Sequence, residues 1–503
     1  MLLLKFGYFC TIMIANELVY QIRQVFAAGE NGGLLPTVEQ EHAIGVFAQF
    51  MTDRRERVVM VLRGSAGTGK TTLASAMVQT MVSLRQKLML LAPTGRAAKV
   101  FAMHAGQPAY TIHRRIYRQR SAGDLSAFNL NANLHRDMLF VVDEASMISN
   151  QGMGDSTFGS GCLLDDLMQF VYSTDANCRL LLIGDAAQLP PVGEAESPAL
   201  LTGVLRGYGL TVYEAALTEV LRQAQQSGIL WNATMIRQLI TRDEATALPR
   251  IRLRGFADVV VVPGDELIEQ LATSYSRVGL DETIVITRSN KRANIYNRGI
   301  RATVLDREDE LCRGDRLMIV KNNYYWCEAA RGAQDGERKE GGLSFLANGD
   351  QAVVQRVRGD QSLYGFRFAT VTLQLPDYDN EEMEVTALLD TLTAEAPALT
   401  REQQQQLFEA VMADYQDVPL KADRLRQLKH DRYYNALQVK FAYAVTCHKA
   451  QGGQWAHVYL DQGYMTDDML TPDYIHWLYT AFTRATEHLY LVNWPVTQCA
   501  AGE

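Results

Sequence analysis

A chain of 503 residues with a net charge of −8 is sized for two to four domains, and its acidic balance excludes a protein coated by nucleic acid over its whole surface. A local basic groove stays open, because binding follows the local field and not the sum. With 47% apolar and 21% charged residues the composition is that of a globular protein with large cores, and the seven scattered cysteines, odd in number and without zinc-ligand spacing, point to a reduced, cytoplasmic compartment.

The chain opens on "MLLLKFGYFCTIMIA". Its only charge, Lys5, lies inside the apolar run, no small-x-small cleavage site follows, and the run is too short to span a bilayer. Residues 1–35 are therefore read as an N-terminal extension with a start assigned too early. The expected true start is Met13, with the helical pattern "NELVYQIRQVFAAGENGG" opening the folded chain and no membrane contact.

Four nearly all-apolar runs follow: "VVMVLRG", "LMLLAPT", "MLFVVDEA" and "RLLLIGD". Runs buried on both faces and separated by helical patterns predict a parallel, helix-flanked sheet. Its ligands bind beyond the carboxyl ends of the strands. The first run leads into "GSAGTGKT", Gly64 to Thr71, which matches G-x-x-x-x-G-K-[ST] in full between a strand and a helix. The backbone amides of such a loop cradle phosphates at a helix N-terminus. Lys70 reaches the β- and γ-phosphates and Thr71 holds Mg²⁺. The competing reading, a Gly-rich turn without ligand, does not explain the lysine and threonine in this context.

"LFVVDEAS" places two acids at a strand end. Asp143 suits Mg²⁺, and Glu144 suits the general base on an attacking water; the alternative for Glu144 is a solvated surface carboxylate. "LLIGDAAQLPPV", Leu181 to Val192, puts Gln188 beyond the next strand and two prolines after it. A neutral amide can donate to a γ-phosphate and accept from water, telling ATP from ADP without adding charge. Pro190 and Pro191 stiffen the backbone that would relay the difference.

A second set of runs, "ADVVVVPG", "TIVITRSN", "FAYAVTCHK", "HVYLDQ" and "HLYLVN", predicts a second α/β domain. It is interrupted from about Arg313 to Asn435. "DRLMIVKNNYY", "DQAVVQRVRGD" and "FRFATVTLQL" there read as strands of a small antiparallel barrel. "LTREQQQQLFEAVMADY" is a helix capped by Thr400, with Gln403 completing a capping box.

"GSAGTGKTT", "APTGRAAK", "VVDEASMI", "GDAAQLPPV", "LTEVLRQ", "AVTCHKAQG" and "YTAFTRA" occur in that order. The set resembles the motifs of superfamily 1 DNA helicases, most nearly the RecD-like and Dda-like branch with a UvrD-like C-terminal domain. The resemblance runs from about Pro36 to Trp494. It implies an α/β fold of two RecA-like P-loop NTPase domains with parallel sheets, the second interrupted by an SH3-like β-barrel. The implied boundaries are 36–225 for the first domain with a hairpin insertion near 113–136, 226–312 with 436–503 for the second, and 313–435 for the barrel and a helical segment.

It further implies ATP and Mg²⁺ in the cleft. The nucleotide would be held by Gln40, which resembles an adenine-reading glutamine, and by Gly64, Ser65, Ala66, Gly67, Thr68, Gly69, Lys70, Thr71 and Thr72. Arg222 and Arg484 resemble arginine fingers; the plainer alternative for each is an ion pair. Thr94, His113, Thr446, His448 and Lys449 resemble contacts to single-stranded DNA, with a structural role open for both histidines. "HRRIYRQR" near the hairpin reads equally as a patch at the fork or as an exposed charged segment. "KNNYY" offers Asn323 and Tyr324 as strand-end contacts. The family's partners are single-stranded DNA and a DNA fork, with repair or replication proteins alongside and a monomer expected. Its activity is duplex unwinding with 5′-to-3′ translocation in repair or recombination. The alternatives are a translocase that strips proteins, an RNA helicase, and a nucleic-acid-binding scaffold with weak ATPase.

Overall fold

The computed structural model describes residues 2–28, 35–119, 128–152, 159–173, 176–220, 226–242, 248–332 and 345–500. Two parallel sheets and one closed barrel organise them. The first sheet runs Ala109–Thr111, Leu88–Ala92, Leu139–Val142, Arg179–Gly184, Val58–Gly64, Thr211–Leu217, with every pair parallel. Its central strands are buried on both faces, as their unbroken apolar runs require. Helix Leu2–Ala28 lays Leu18, Ile22 and Phe26, spaced four apart, into the core under one face.

Two strands of this sheet have no counterpart among the four apolar runs. Ala109–Thr111 is three residues long, and Thr211–Leu217 is an edge strand with alternating exposure. Neither length nor periodicity marks them as buried strands. Apart from the sheet, Tyr117–Gln119 pairs antiparallel with Phe128–Leu130.

The second sheet runs Ala444–Thr446, Thr283–Thr287, Trp455–Asp461, Ala485–Val492, Val259–Val262, again all parallel. Between its parts the chain forms a closed barrel of Arg316–Ile319, Gln351–Leu363, Phe366–Leu375, Glu381–Leu388 and Leu437–Phe441. The closing strand lies beyond residue 435. "FAYAVTCHK" is therefore two strands: Phe441 ends the barrel and Ala444 begins the sheet. The break is fixed from inside, where Tyr443 donates to Asp315 at 2.8 Å and Asn297 binds both the carbonyl and the amide of Ala444. Helix Arg401–Ala413, on the barrel, carries the Thr400–Gln403 capping box. No helix among the described residues is long and apolar enough to cross a membrane.

Candidate functional site

Strand Val58–Gly64 ends at the phosphate-type loop, and helix Lys70–Ser83 starts from it. The helix is capped by Gly69 at φ 73° with no side chain bonded to its amides. Gly67 is also left-handed, at φ 75°, a conformation open to glycine at little cost. The amides at this helix start thus remain for an anion. A β-carbon on Gly64 would lie 3.1 Å from the Lys70 side chain, so the lysine folds back along the loop. Inside the loop the Thr68 hydroxyl donates to Ser65 O at 2.8 Å.

Gln40 is buried at 1% exposure. Its carboxamide oxygen accepts from Thr37 N at 2.9 Å in a capping box, and its Nε2 donates to Thr68 O at 3.0 Å. In this conformation the side chain ties helix Val38–Thr52 to the loop.

Two carboxylates at neighbouring strand ends, Asp143 and Asp185, feel the charge of Lys70, with Glu144 beside the first. Asp143 is pushed up to about 6 by burial and by the adjacent Glu144, against the pull of Lys70 and a bond from Glu144 N. Asp185 is raised by burial as well, again against Lys70. Glu144 sits at φ 52°, an unusual backbone for a non-glycine residue that marks the acid pair. Its Oε2, and the Oε1 of Gln188, are buried oxygens without a hydrogen-bond partner. A native interior leaves few such atoms unsatisfied. Excess negative charge and open oxygens fit a hard divalent cation. The oxygen groups that would hold Mg²⁺ here are the Thr71 hydroxyl and the Asp143 carboxylate, as a hard cation requires; no group of three or more His, Cys, Asp and Glu suited to a metal occurs among the described residues. Such an ion supplies charge neutralisation on a bound phosphate chain.

The loop after Gly184 is held from the second domain. Asp185 makes the turn itself, accepting Ala187 N at 3.0 Å. Helix Pro472–Phe482 then reaches across with three side chains. Tyr479 donates to Asp185 Oδ2 at 2.6 Å and accepts from Ala66 N at 3.1 Å. His476 Nδ1 lies 2.9 Å from Ala187 O, and Leu189 N donates to Thr480 Oγ1 at 2.7 Å. Gln451 adds a bond to Leu189 O at 2.7 Å. Gln188 thus sits in a segment bonded on both sides of it by the second domain. Tyr479, Thr480 and Gln451 all stand inside the YTAFTRA and AVTCHKAQG motifs, beside Arg484 and His448. His476 and Arg237, which donates to Ser65 Oγ at 2.6 Å, lie outside them.

Residues 37–260 match the model of an AAA domain, and residues 441–492 that of a UvrD-like helicase C-terminal domain. The two matches, an AAA domain and then a helicase C-terminal domain, follow in the order in which the two sheets follow along the chain. It is 32% identical over 178 residues to the ATP-dependent RecD2 DNA helicase of Deinococcus radiodurans, covering 34% of this chain and 21% of that protein. It is 23% identical over 302 residues to the ATP-dependent DNA helicase dda of Enterobacteria phage T4, covering 56% of this chain and 60% of that one. The chain therefore spans less than two thirds of either relative. Among solved structures it is similar to a Bacteroides Pif1 helicase in complex with ADP-AlF3 and ssDNA, at 14% identity and TM-score 0.46 over 93% of this chain and 95% of that one.

The residues expected at DNA fall into two groups. Thr94 caps helix Gly95–Ala105, accepting Ala97 N at 3.2 Å. A β-carbon on Gly452 would lie 3.1 Å from its hydroxyl, so Thr94 meets the "TCHKAQG" segment across the domain boundary. Arg96 seals the same contact, donating to Gln454 O at 2.9 Å and lying over the Trp455 ring. Thr446 starts the short helix Cys447–Ala450 with no side-chain cap bond, His448 is exposed, and Lys449 donates to Asn348 of the barrel. Burial and the neighbouring Lys440 lower the Lys449 amine to about 8.

His113 stands apart from these, in helix Ile112–Ile116 near the hairpin. Burial lowers its imidazole to about 4, so at neutral pH it is an uncharged hydrogen-bonding group and not a cation. Asn323 bonds Asn435 O within the barrel at 2.9 Å. Arg484 is 3% exposed and bonded inside the second domain, to Thr480 O, Gly453 O and Thr483 Oγ1. Arg222 lies outside the described residues.

Proposed function

We propose that this chain is an ATP-dependent DNA helicase that moves 5′-to-3′ on single-stranded DNA and opens a duplex at a fork, in repair or recombination. The observation that carries the reading is the bonding of the Gln188 loop. Asp185, Ala187 and Leu189 are all held by second-domain side chains, so a change at the nucleotide edge is a change at the domain boundary.

In this reading Lys70 and the loop from Gly64 to Thr72 hold the phosphates, with Gln40 bracing the loop beside the base. Thr71 and Asp143 hold Mg²⁺. Glu144 takes the proton of the attacking water through its unpartnered Oε2, and Gln188 orients that water against the γ-phosphate. Arg484 must exchange its bonds to Thr480 O and Gly453 O for the γ-phosphate, so hydrolysis waits for the cleft to close; Arg222 acts beside it. An arginine finger is worth roughly 10³–10⁵ in rate. Thr94 on one side and Thr446, His448 and Lys449 on the other grip the strand in turn, with His113 nearer the fork. Opening a base pair costs about 1.4 kcal/mol in stacking, and one base-stacking contact is worth roughly 1–3 kcal/mol. Exchanging one contact per step is the right size for the work.

The deciding experiment is the ATPase rate with and without single-stranded DNA, for the native chain and for Arg484→Ala. The expected result is strong stimulation that vanishes in the variant while DNA binding persists. A native rate indifferent to DNA rejects the motor. Stimulation by RNA in place of DNA redirects the substrate, and stimulation without strand separation on a fork leaves a translocase.

A further inference from the structure

The guanidinium bonded to the phosphate-type loop in this structure is not one that the motifs supply. Arg237 lies in helix Gly228–Arg242, whose Ile229, Ala233 and Ile236 are buried in the core of the second domain. The side chain therefore moves with that domain. Its Nη1 donates to Ser65 Oγ at 2.6 Å and its Nη2 to Thr218 O at 3.2 Å.

The rest of the helix face follows the loop. Leu230, seven residues earlier and so on the same side, packs on Gly67, where a β-carbon would meet it at 3.2 Å. Ala66, between these two points, donates its amide to Tyr479. Three successive loop residues are thus covered by the second domain, and Arg237 is the cation among the three contacts.

Its bonding partners are weak ones for a guanidinium. Both are neutral oxygens, a hydroxyl and a carbonyl. The nearby Glu39 carboxylate feels the charge but is bonded to Thr218 N, Thr218 Oγ1 and Glu219 N at 2.5–2.8 Å. A guanidinium binds an ionised oxygen roughly twice as strongly as a neutral one, and phosphate geometry suits its fork. Arg484 meanwhile is turned into its own domain.

We propose that Arg237 is a nucleotide-binding residue: when a nucleoside triphosphate enters the loop, its guanidinium leaves Ser65 Oγ for the terminal phosphate. It then gives the second domain a contact to the triphosphate that a diphosphate does not offer. The inference rests on the reading of the loop as an ATP site.

The test is equilibrium binding of fluorescent ADP and of the fluorescent imido analogue of ATP, with Mg²⁺, to the full chain and to Arg237→Gln and Arg237→Lys. Arg237→Gln is expected to weaken the triphosphate about 10-fold or more, as loss of one charge-assisted bond requires, and to change ADP less than about twofold. Arg237→Lys, which keeps the charge and the helix, is expected to recover part of the loss and covers the case in which the glutamine variant fails to fold. Equal losses for both nucleotides, or no loss for either, overturn the inference and leave Arg237 as a brace of the loop. A native chain that binds neither nucleotide fails in a different way and rejects the ATP site itself.

Discussion

The two sheets build the same strand–loop–helix unit and finish it differently. In the first, the helix after Val58–Gly64 starts at Gly69 with no side-chain cap. In the second, the helix after Thr283–Thr287, Asn290–Gly299, is capped by Ser289, whose hydroxyl accepts Arg292 N at 3.3 Å. The strand-end acids differ in the same way. Asp461, at the end of Trp455–Asp461, takes Arg292 Nε at 2.6 Å, the Tyr296 hydroxyl at 2.5 Å and Gly463 N at 2.7 Å. Asp143 takes one backbone amide, and its neighbours Glu144 and Gln188 keep buried oxygens open. One edge is internally satisfied and the other is held unsatisfied. The fold is common to both, and the vacancy of hydrogen-bond capacity locates the chemistry.

The largest expected effects come from exchanging the character of these edges. Glu144→Gln keeps the volume and removes the proposed base. Steady-state turnover of ATP is expected to fall about 10²–10⁴-fold, with binding of the imido analogue retained and the melting temperature unchanged. The matching change in the second sheet, Asp461→Ala, leaves Arg292 and Tyr296 without their carboxylate. It is expected to cost about 2–3 kcal/mol of stability, below the range for a fully buried pair because Arg292 is half exposed. Chemical denaturation followed by intrinsic fluorescence reads it. If Glu144→Gln proved as destabilising as Asp461→Ala while turnover held, the contrast between the two edges would be lost.

A smaller effect is expected where the edges touch. Tyr479→Phe removes one hydroxyl and with it the donor to Asp185 and the acceptor of Ala66 N. The loss of a buried bond to a charged group is worth about 1.5–3 kcal/mol. DNA stimulation of ATP turnover is expected to drop about tenfold, with the unstimulated rate within about threefold of native. Comparing the two rates in one assay separates coupling from chemistry; an equal fall in both would make Tyr479 a part of the phosphate site alone.

How far these contacts were legible depends on how locally each is encoded. The phosphate-type loop, the acid pair and Gln188 are read from short runs because each sits at the end of a continuous apolar strand, and the strand order brings those ends together. Both parallel sheets and the barrel followed from the same runs. The strand Thr211–Leu217 is not legible because an edge strand alternates like a surface segment, and the turn at Ala442–Tyr443 is hidden because one apolar run crosses two sheets. Arg237 and His476 carry no local sign. Whether a surface arginine on helix Gly228–Arg242 faces solvent or Ser65 is decided by how two domains pack, and no spacing within that helix encodes it. Gln40 illustrates the reverse case: the resemblance offers it to a base, and the structure shows that its amide also braces Thr37 and Thr68.

The smallest expected effect tests whether an open buried oxygen always waits for a ligand. Asp350, on the barrel, is 1% exposed and has its Oδ1 without a partner. It meets the first domain at Gly95, where a β-carbon would fall 2.8 Å from that oxygen. Here the vacancy can be relieved by a proton. Burial pushes the carboxyl up to about 7, despite bonds from Ala347 N and the Tyr378 hydroxyl, against about 3.9 in an unfolded chain. Between those values the folded protein holds a proton that the unfolded chain has released, so stability falls as pH rises through 7. From pH 6 to pH 8 the loss from this group is about 1.4 kcal/mol. Asp350→Asn keeps an acceptor for Ala347 N and Tyr378 and cannot ionise, so it is expected to flatten that part of the profile and to match the native chain best at pH 6. Denaturation midpoints across pH 6–8 measure the slope. An unchanged slope in the variant would mean that Asp350 does not titrate between pH 6 and pH 8 and that another group sets this part of the profile.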